Sequence, residues 1–378
     1  MKKIGYFIFA CFFYLFRILP VKPKKVFCIM THDSSEDSSV GVVVKALKEK
    51  REGYSFYYIK KDERERAKKH FIREFLSFFV VKAYHLATAS YVMLDNIFLP
   101  MAYLKFRKKV CIIQLWHGTG TIKKFGQSIN KGDLKKLEGR GNKKITHLIV
   151  NSQYTKEQYS EAFGITEDKI YVWGLPRTDE FFNAELEETK RDLFFKKYPE
   201  LKGKKLVLYA PTFRDDETDR PKMKLELSAI IENTDEDMVF LLKLHPFVAK
   251  NFSFLKEQRD ISQRVLNVSH YQDINTLLFV SDILITDYSS IIFEYCLLER
   301  PMIFYAYDLD LFEKEGRGFY EDYQQYVPGP VARTTDDVIE IIRKDKFTIE
   351  RVKLFKRQSY EYLDGRSGER LLNKIFIW

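Results

Sequence analysis

Asp282-Ile283-Leu284-Ile285-Thr286-Asp287-Tyr288-Ser289-Ser290-Ile291-Ile292-Phe293-Glu294 is the stretch that decides the fold. Its apolar run is continuous rather than alternating. A strand of that kind is buried on both faces and belongs in a parallel sheet covered by helices. The run ends in a hydroxyl-rich turn that opens a helix. Strand, tight turn and helix together make the repeating unit of an α/β domain. The same rhythm extends in both directions. Strands are expected at 25–30, 54–59, 91–95, 110–115, 146–151 and 170–173, and again at 205–210, 238–244, 282–286 and 301–305. Helices are expected at 40–50, 64–86, 154–163, 223–232, 273–280, 290–299 and 336–345. The charged, helix-like stretch 180–203 separates the two series. The expectation is therefore α/β, with two doubly wound domains of the Rossmann kind and ligand sites at the carboxyl ends of their strands, in the cleft between them. The boundaries read as 1–22 for an N-terminal helix, 23–183 and 204–350 for the two domains, 184–203 for a linker and 351–378 for a C-terminal helical segment.

Bulk composition supports two cores. The 378 residues are 45% hydrophobic and include 32 Phe, and that length suits two domains. The formal net charge is +10, and it is unevenly placed: residues 101–132 carry seven Lys or Arg and no acid. Such a stretch fits a solvated face or a platform for anionic headgroups and phosphates. No nucleic-acid-binding module follows from the pattern. Cys11, Cys28, Cys111 and Cys296 sit singly in apolar runs, as reduced buried thiols do.

Residues 4–16 are almost wholly apolar and aromatic, with Lys2 and Lys3 before them and Arg17, Lys22, Lys24 and Lys25 after. The run is shorter than the ~20 residues a membrane span needs. No small-residue cleavage site follows it, which argues against a signal peptide. The reading adopted is an interfacial helix on an anionic membrane surface. A helix packed on the protein's own surface is the alternative.

Four clusters carry chemistry. At Thr286, Asp287, Ser289 and Ser290, free N–H groups, hydroxyls and the helix start form a phosphate cradle, with Glu294 one turn on. A plain serine N-cap fits the same residues. Lys243-Leu244-His245-Pro246 places a histidine after a strand, where it bonds a pyrophosphate as a cation or neutral hydrogen-bond donor or serves as a structural residue. Arg214 follows another strand and suits bidentate phosphate binding or a surface ion pair with Asp215 or Asp216. Trp116-His117-Gly118-Thr119-Gly120 follows the strand at 110–115, with Lys123 and Lys124 beyond. Glycines there admit a substrate close to the backbone, His117 is a candidate base, and the lysines are candidate ligands for an acceptor phosphate. Capping a loop is the plainer role for His117. His32, Asp33 and the serine-rich turn up to Ser39 read as a plain loop that could also touch an acceptor. No Walker loop, nucleophile elbow or metal-ligand spacing is present; Asp308 and Asp310 come nearest to a metal pair.

In this order, the motifs resemble the CDP-glycerol glycerophosphotransferase family of teichoic acid synthesis. The resemblance runs from about Tyr91 to Tyr320. It is carried by Trp116 to Gly126, Gly174 to Asp179, Tyr209 to Arg214, Lys243 to Pro246, Thr286 to Glu294 and Glu299-Arg300-Pro301. It implies a GT-B-like fold and metal-independent displacement at a phosphorus. It also implies a peripheral enzyme on the cytoplasmic face of the bacterial membrane, with no cofactor. His117 would be the general base. His245, Arg214, Ser289 and Ser290 would hold the donor pyrophosphate, and Glu294 would meet donor hydroxyls. Gly118, Gly120, Lys123 and Lys124 would face the acceptor. CDP-glycerol would be the donor and a prenyl-diphosphate-linked disaccharide the acceptor. Polymerase members commonly carry Trp-His-Gly-Thr-Pro-Leu-Lys at the first motif, whereas here Gly120-Thr121-Ile122 precedes Lys123. That departure, with no long extra N-terminal region in the sequence, resembles the primase branch. The alternatives are a polyol-phosphate polymerase, a ribitol-phosphate transferase, a nucleotide-sugar glycosyltransferase of the same fold, a non-catalytic membrane-bound binding protein and an exported protein.

Overall fold

The structure is a computed structural model that describes residues 2–61, 63, 71–212, 223–244 and 263–376. It divides into two compact units. The first comprises residues 1–120, 124–182 and 359–378, and the second 121–123 and 183–358. Each is built on a six-stranded sheet.

In the first unit the strands are β1 (Lys22–Met30), β2 (Ser55–Lys60), β3 (Ala89–Leu94), β4 (Cys111–Gln114), β5 (His147–Val150) and β6 (Ile170–Val172). They pair in the order β2-β1-β3-β4-β5-β6, and every pairing is parallel. From β1 the chain steps outward to β2, then returns to the other side of β1 at β3. The carboxyl ends of β1 and β3 therefore flank the point where strand order reverses, the place where open α/β sheets bind ligands. Val26, Cys28, Met93 and Ile113 face one buried cluster, and Phe27, Ile29, Val92 and Ile112 face another. This two-sided burial is what the unbroken apolar runs demanded.

The second unit repeats the plan. Its strands are β7 (Lys205–Tyr209), β8 (Met238–Leu242), β9 (Val265–Asn267), β10 (Ile283–Thr286), β11 (Met302–Tyr305) and β12 (Val331–Ala332). The order is β12-β11-β10-β7-β8-β9, again all parallel. Here the reversal lies between β7 and β10.

Ten strands were legible in the sequence; β9 and β12, of three and two residues, were not. Of the helix expected at 64–86, the described part runs as Phe71–Leu76, a π-helical stretch Ser77–Lys82 and Ala83–Ala87. The helix expected at 223–232 begins only at Leu227. The one expected at 290–299 is Ile291–Tyr295 followed by a 3₁₀ turn Cys296–Leu298. The unexpected helix Gly132–Asn142 contains three glycines, which lower helix propensity and disguise it. The helix Ala184–Lys197, within the stretch read as a linker, packs on the helix Ile274–Val280. Its Lys190 lies 2.9 Å from Asp273.

Helix α1 (Lys2–Phe16) has two apolar faces. Phe9, Ala10 and Phe13 are buried in the first unit, with the Phe9 ring 5.8 Å from Phe98 and Phe13 5.3 Å from Phe106. On the other face Ile4 is 64% exposed, Phe7 62% and Leu15 57%, and Ile18 just beyond is 77% exposed. Among the described residues no helix is long and apolar enough to cross a membrane.

The C-terminal helix Ser367–Ile375 is docked by Asp179. The carboxylate accepts the Ser367 and Gly368 N–H groups at 2.9 and 2.7 Å, although the two sites are far apart in sequence. This long-range cap serves helix N–H groups that no helix carbonyl reaches. Replacing it leaves two partly buried donors unmet. Asp179→Ala is expected to lower stability by about 2 kcal/mol, read as the shift in a urea unfolding midpoint; an unchanged midpoint would show that water replaces the cap.

Candidate active site

The first cluster forms at the β1/β3 reversal. Asp95 closes β3 and is 2% exposed. Its carboxylate gathers the N–H groups of the turn after β1: Thr31 at 3.0 Å, His32 at 3.2 Å and Asp33 at 2.9 Å. Burial still pushes its pKa up to about 6, against the pull of these bonds. Its main-chain carbonyl is used separately and lies 2.9 Å from His117 Nδ1. A carbonyl oxygen only accepts, so Nδ1 carries the proton and Nε2 presents its lone pair. Burial, then the neighbouring His32, holds the His117 pKa down at about 3. The two imidazoles stack at 3.8 Å and 13°. His117 is thus a neutral imidazole of fixed tautomer, the form a general base requires.

The loop carrying it is pinned at Trp116, His117, Gly118 and Thr119. Trp116 takes a left-handed backbone, φ 49°. That strained turn is held by its N–H on Gln114 Oε1 at 2.9 Å and by its indole stacked 5.2 Å from Phe125. The carbonyl of His117 accepts Arg177 Nη1 at 3.0 Å, that of Gly118 accepts the Tyr159 hydroxyl at 2.8 Å, and that of Thr119 accepts Asn151 Nδ2 at 3.2 Å. Gly118 and Gly120 are buried within it. A Cβ on Gly118 would stand 3.2 Å from the Gly120 carbonyl. Lys124 is half-buried. Lys123 belongs to the second unit, where it bridges to Phe319 and its ammonium lies 6.0 Å from the Phe312 ring.

The second cluster forms at the β7/β10 reversal. Thr286 is fully buried, and its hydroxyl donates to the Ala210 carbonyl at 2.7 Å. Asp287, 2% exposed, accepts Thr212 N–H at 2.8 Å and Tyr288 N–H at 2.6 Å. The hydroxyl of Tyr323 donates to the Asp287 carbonyl at 2.9 Å, and that of buried Tyr288 to Asp308 at 2.9 Å. Thr286 and Asp287, expected to face a donor, therefore turn inward and lock the ends of β7 and β10 together. Ser289 and Ser290 are half-buried at the start of the helix Ile291–Tyr295, and Glu294 is buried on it. Ser290 makes no side-chain cap, whereas Ser289 Oγ accepts the Ile291 N–H at 3.3 Å, so the serine-cap alternative holds at Ser289.

Arg214 and His245 lie outside the described residues. The approach to His245 is fixed: Lys243 donates to the Ser269 and Tyr271 carbonyls, and Leu244 N–H to Ser269 Oγ at 3.0 Å. Arg300 caps the helix Ile274–Val280 through the Phe279 and Ser281 carbonyls, at 2.7 and 2.9 Å. Its motif thus serves the fold. Among the described residues no three His, Cys, Asp or Glu side chains stand close enough to hold a metal ion. Sequence reasoning missed Asp95, whose only signal is an acid at the end of an apolar run, and the stacking of His32 on His117.

Two parallel sheets of this topology define a GT-B-like α/β fold. The wall teichoic acid polymerase TagF superposes with a TM-score of 0.79 over 97% of this chain and 92% of that one, at 23% identity. Residues 11–377 match the CDP-glycerol:poly(glycerophosphate) glycerophosphotransferase family, and the chain belongs to it. Among its relatives is the teichoic acid poly(ribitol-phosphate) polymerase of Bacillus spizizenii, 34% identical over 99% of this chain and 60% of that protein. The chain thus spans well under two thirds of that relative's length. Another is the teichoic acid glycerol-phosphate primase of Bacillus subtilis, 32% identical over 78% of this chain and 76% of that protein.

The His117 geometry has a measurable signature. Its folded pKa, about 3, lies below the unfolded value near 6.5. As pH falls below 6.5 the unfolded chain takes up a proton that the folded one refuses, so stability is lost between about pH 6.5 and 3. His117→Asn retains a donor for the Asp95 carbonyl and removes the titration. The wild type should lose stability relative to this variant as urea melts are repeated from pH 7 down to pH 4; a pH-independent difference would refute the depressed pKa.

Proposed function

We propose that the chain transfers a polyol-phosphate unit, glycerol phosphate in the first reading, from a CDP-linked donor to a prenyl-diphosphate-linked glycan, releasing CMP. The observation that carries this is His117: a neutral imidazole, Nδ1 fixed on a carbonyl and Nε2 open, on a loop pinned from Trp116 to Thr119. Nε2 takes the proton of an acceptor hydroxyl as its oxygen attacks the β-phosphorus of the donor. The O–P bond forms as the bond to the CMP oxygen breaks, and CMP leaves with the electron pair. Phosphate charge near the imidazole favours its protonated form and raises the low resting pKa, so proton uptake becomes easier as the donor binds. Ser289 and Ser290, with Arg214 and His245, hold the pyrophosphate. Glu294 meets donor hydroxyls, and Gly118, Gly120, Lys123 and Lys124 serve the acceptor. Fixed donors and positioning do most of the work in transfers of this type.

Priming with a single glycerol phosphate is favoured by Gly120, which departs from the polymerase-like Trp-His-Gly-Thr-Pro pattern. A ribitol-phosphate donor is the second reading, supported by the slightly higher identity to the ribitol-phosphate polymerase over nearly the whole chain.

The test is CMP release from CDP-glycerol and CDP-ribitol with a prenyl-diphosphate disaccharide, followed by mass spectrometry of the lipid product. One added glycerol phosphate is expected. A ladder would indicate a polymerase, release with CDP-ribitol alone would change the donor, and silence with both would reject the reading. His117→Asn should lower turnover by about 10²–10⁴-fold while donor binding persists; near-normal turnover would remove His117 from the chemistry.

The outer face of α1 supports attachment to the inner surface of the membrane. Its exposed aromatics would enter the acyl boundary while Arg17 meets anionic headgroups; Lys3 pairs with Asp133 at 2.6 Å. Deleting the helix would also strip Phe9 and Phe13 from the core, so the informative variant alters only exposed positions. Phe7→Glu with Leu15→Glu should abolish sedimentation with phosphatidylglycerol vesicles. Undiminished sedimentation would place the contact elsewhere.

A further inference from the structure

A cavity of about 570 Å³ opens in the first unit beside the carboxyl ends of β1, β2 and β3. Its volume lies within the usual range for small-molecule sites. The walls differ in chemistry according to the elements that supply them. The strand ends contribute Thr31, Lys60, Lys61 and Asn96; the helices contribute apolar groups that include Tyr6 of α1, Phe75 and Phe79.

The polar wall is continuous with the His117 site. Asn96 follows Asp95, whose carbonyl holds His117, and Thr31 precedes His32, whose ring stacks on it. The main chain of Lys61 is fixed by its N–H on Ser34 Oγ at 3.0 Å, and that hydroxyl donates to the Met30 carbonyl at 2.8 Å. After burial, the Lys61 charge is the next influence lowering the pKa of His32, so the ammonium acts close to the stacked pair. The side chain of Lys61 is exposed, whereas the Lys60 ammonium lies 5.3 Å from the Tyr58 ring. Of the two carboxylates among the described residues of the wall, Glu63 is engaged by Lys82 at 3.0 Å and by Lys60 N–H at 3.2 Å; Glu74 is the other. A ligand suited to these walls has an anionic head, an apolar tail, and an extension from the head that reaches His117.

We infer that this cavity receives the first isoprene units of a polyprenyl diphosphate, with the diphosphate on Lys61 and the attached glycan running past Thr31 and Asn96 toward His117. The choice of a glycan-bearing lipid rests on the transferase reading, because an ordinary phospholipid brings no acceptor hydroxyl to the base. The helix that supplies Tyr6 also exposes Ile4 and Phe7, so a tail leaving along α1 meets an apolar surface.

The experiment titrates the full chain with farnesyl diphosphate below its micellar concentration, by calorimetry. Saturable one-site binding is expected, at least about tenfold tighter than inorganic diphosphate. Lys61→Glu changes an exposed side chain and should weaken binding at least about tenfold; unchanged binding would overturn the headgroup assignment. Leu99→Trp fills the apolar side and should weaken farnesyl diphosphate but not inorganic diphosphate; unchanged farnesyl binding would overturn the tail assignment. Equal displacement by dihexanoyl phosphatidylglycerol would overturn the prenyl identity. If binding holds while no CDP-polyol yields CMP, the transferase reading fails and the lipid site stands. CMP release without farnesyl diphosphate binding would do the reverse.

Discussion

Asp95 is the residue on which the first unit's chemistry depends. Its carboxylate is buried and still held by three N–H groups of the turn after β1. Its carbonyl fixes the tautomer of His117. One residue thus joins two strand-end loops across the reversal of strand order, and it does so with both ends of its chemistry. The raised carboxyl pKa records the desolvation that this placement costs. Without that junction the imidazole could present either nitrogen, and half of its orientations would be useless to a base.

The second unit solves the same problem with different residues. Parallel strands separated in sequence must have their ends tied where the sheet order reverses, and Thr286 and Asp287 do so through Ala210 and Thr212. This explains why a motif that reads as a phosphate cradle is only partly one. Its first two polar side chains satisfy the backbone of the turn, since a buried carbonyl or N–H left unmet costs more than a surface contact returns. Ser289 and Ser290, at the helix start, stay half-buried, and Ser289 Oγ accepts the Ile291 N–H at 3.3 Å.

This division marks what the sequence could express. Continuous apolar runs announced ten strands because burial on both faces leaves no alternation to misread. The three-residue β9 and two-residue β12 carry too few positions to announce anything. The site was legible where chemistry and turn coincide, as at Trp116–Gly120. It was illegible where the partner is distant: nothing local links Asp95 to His32 or His117, and nothing local shows that Asp179 serves a helix near the C-terminus. Thr286 and Asp287 have the residue types of a ligand site, and only the register of β7 beside β10 reveals that they serve the fold.

Helix α1 is packed on the protein, the plainer of the two roles its sequence allows, and it still keeps an exposed apolar face. Thirteen almost wholly apolar positions exceed what one buried face can use. The inner residues Phe9, Ala10 and Phe13 complete the first core, and the outer ones remain solvent-facing. An exposed stripe of that size on a soluble surface would favour association. The same helix lends Tyr6 to the cavity beside the strand ends. One segment thus closes a core on one side, presents an apolar surface on the other and borders the cavity. The unit cannot form its core without also building that exposed apolar surface.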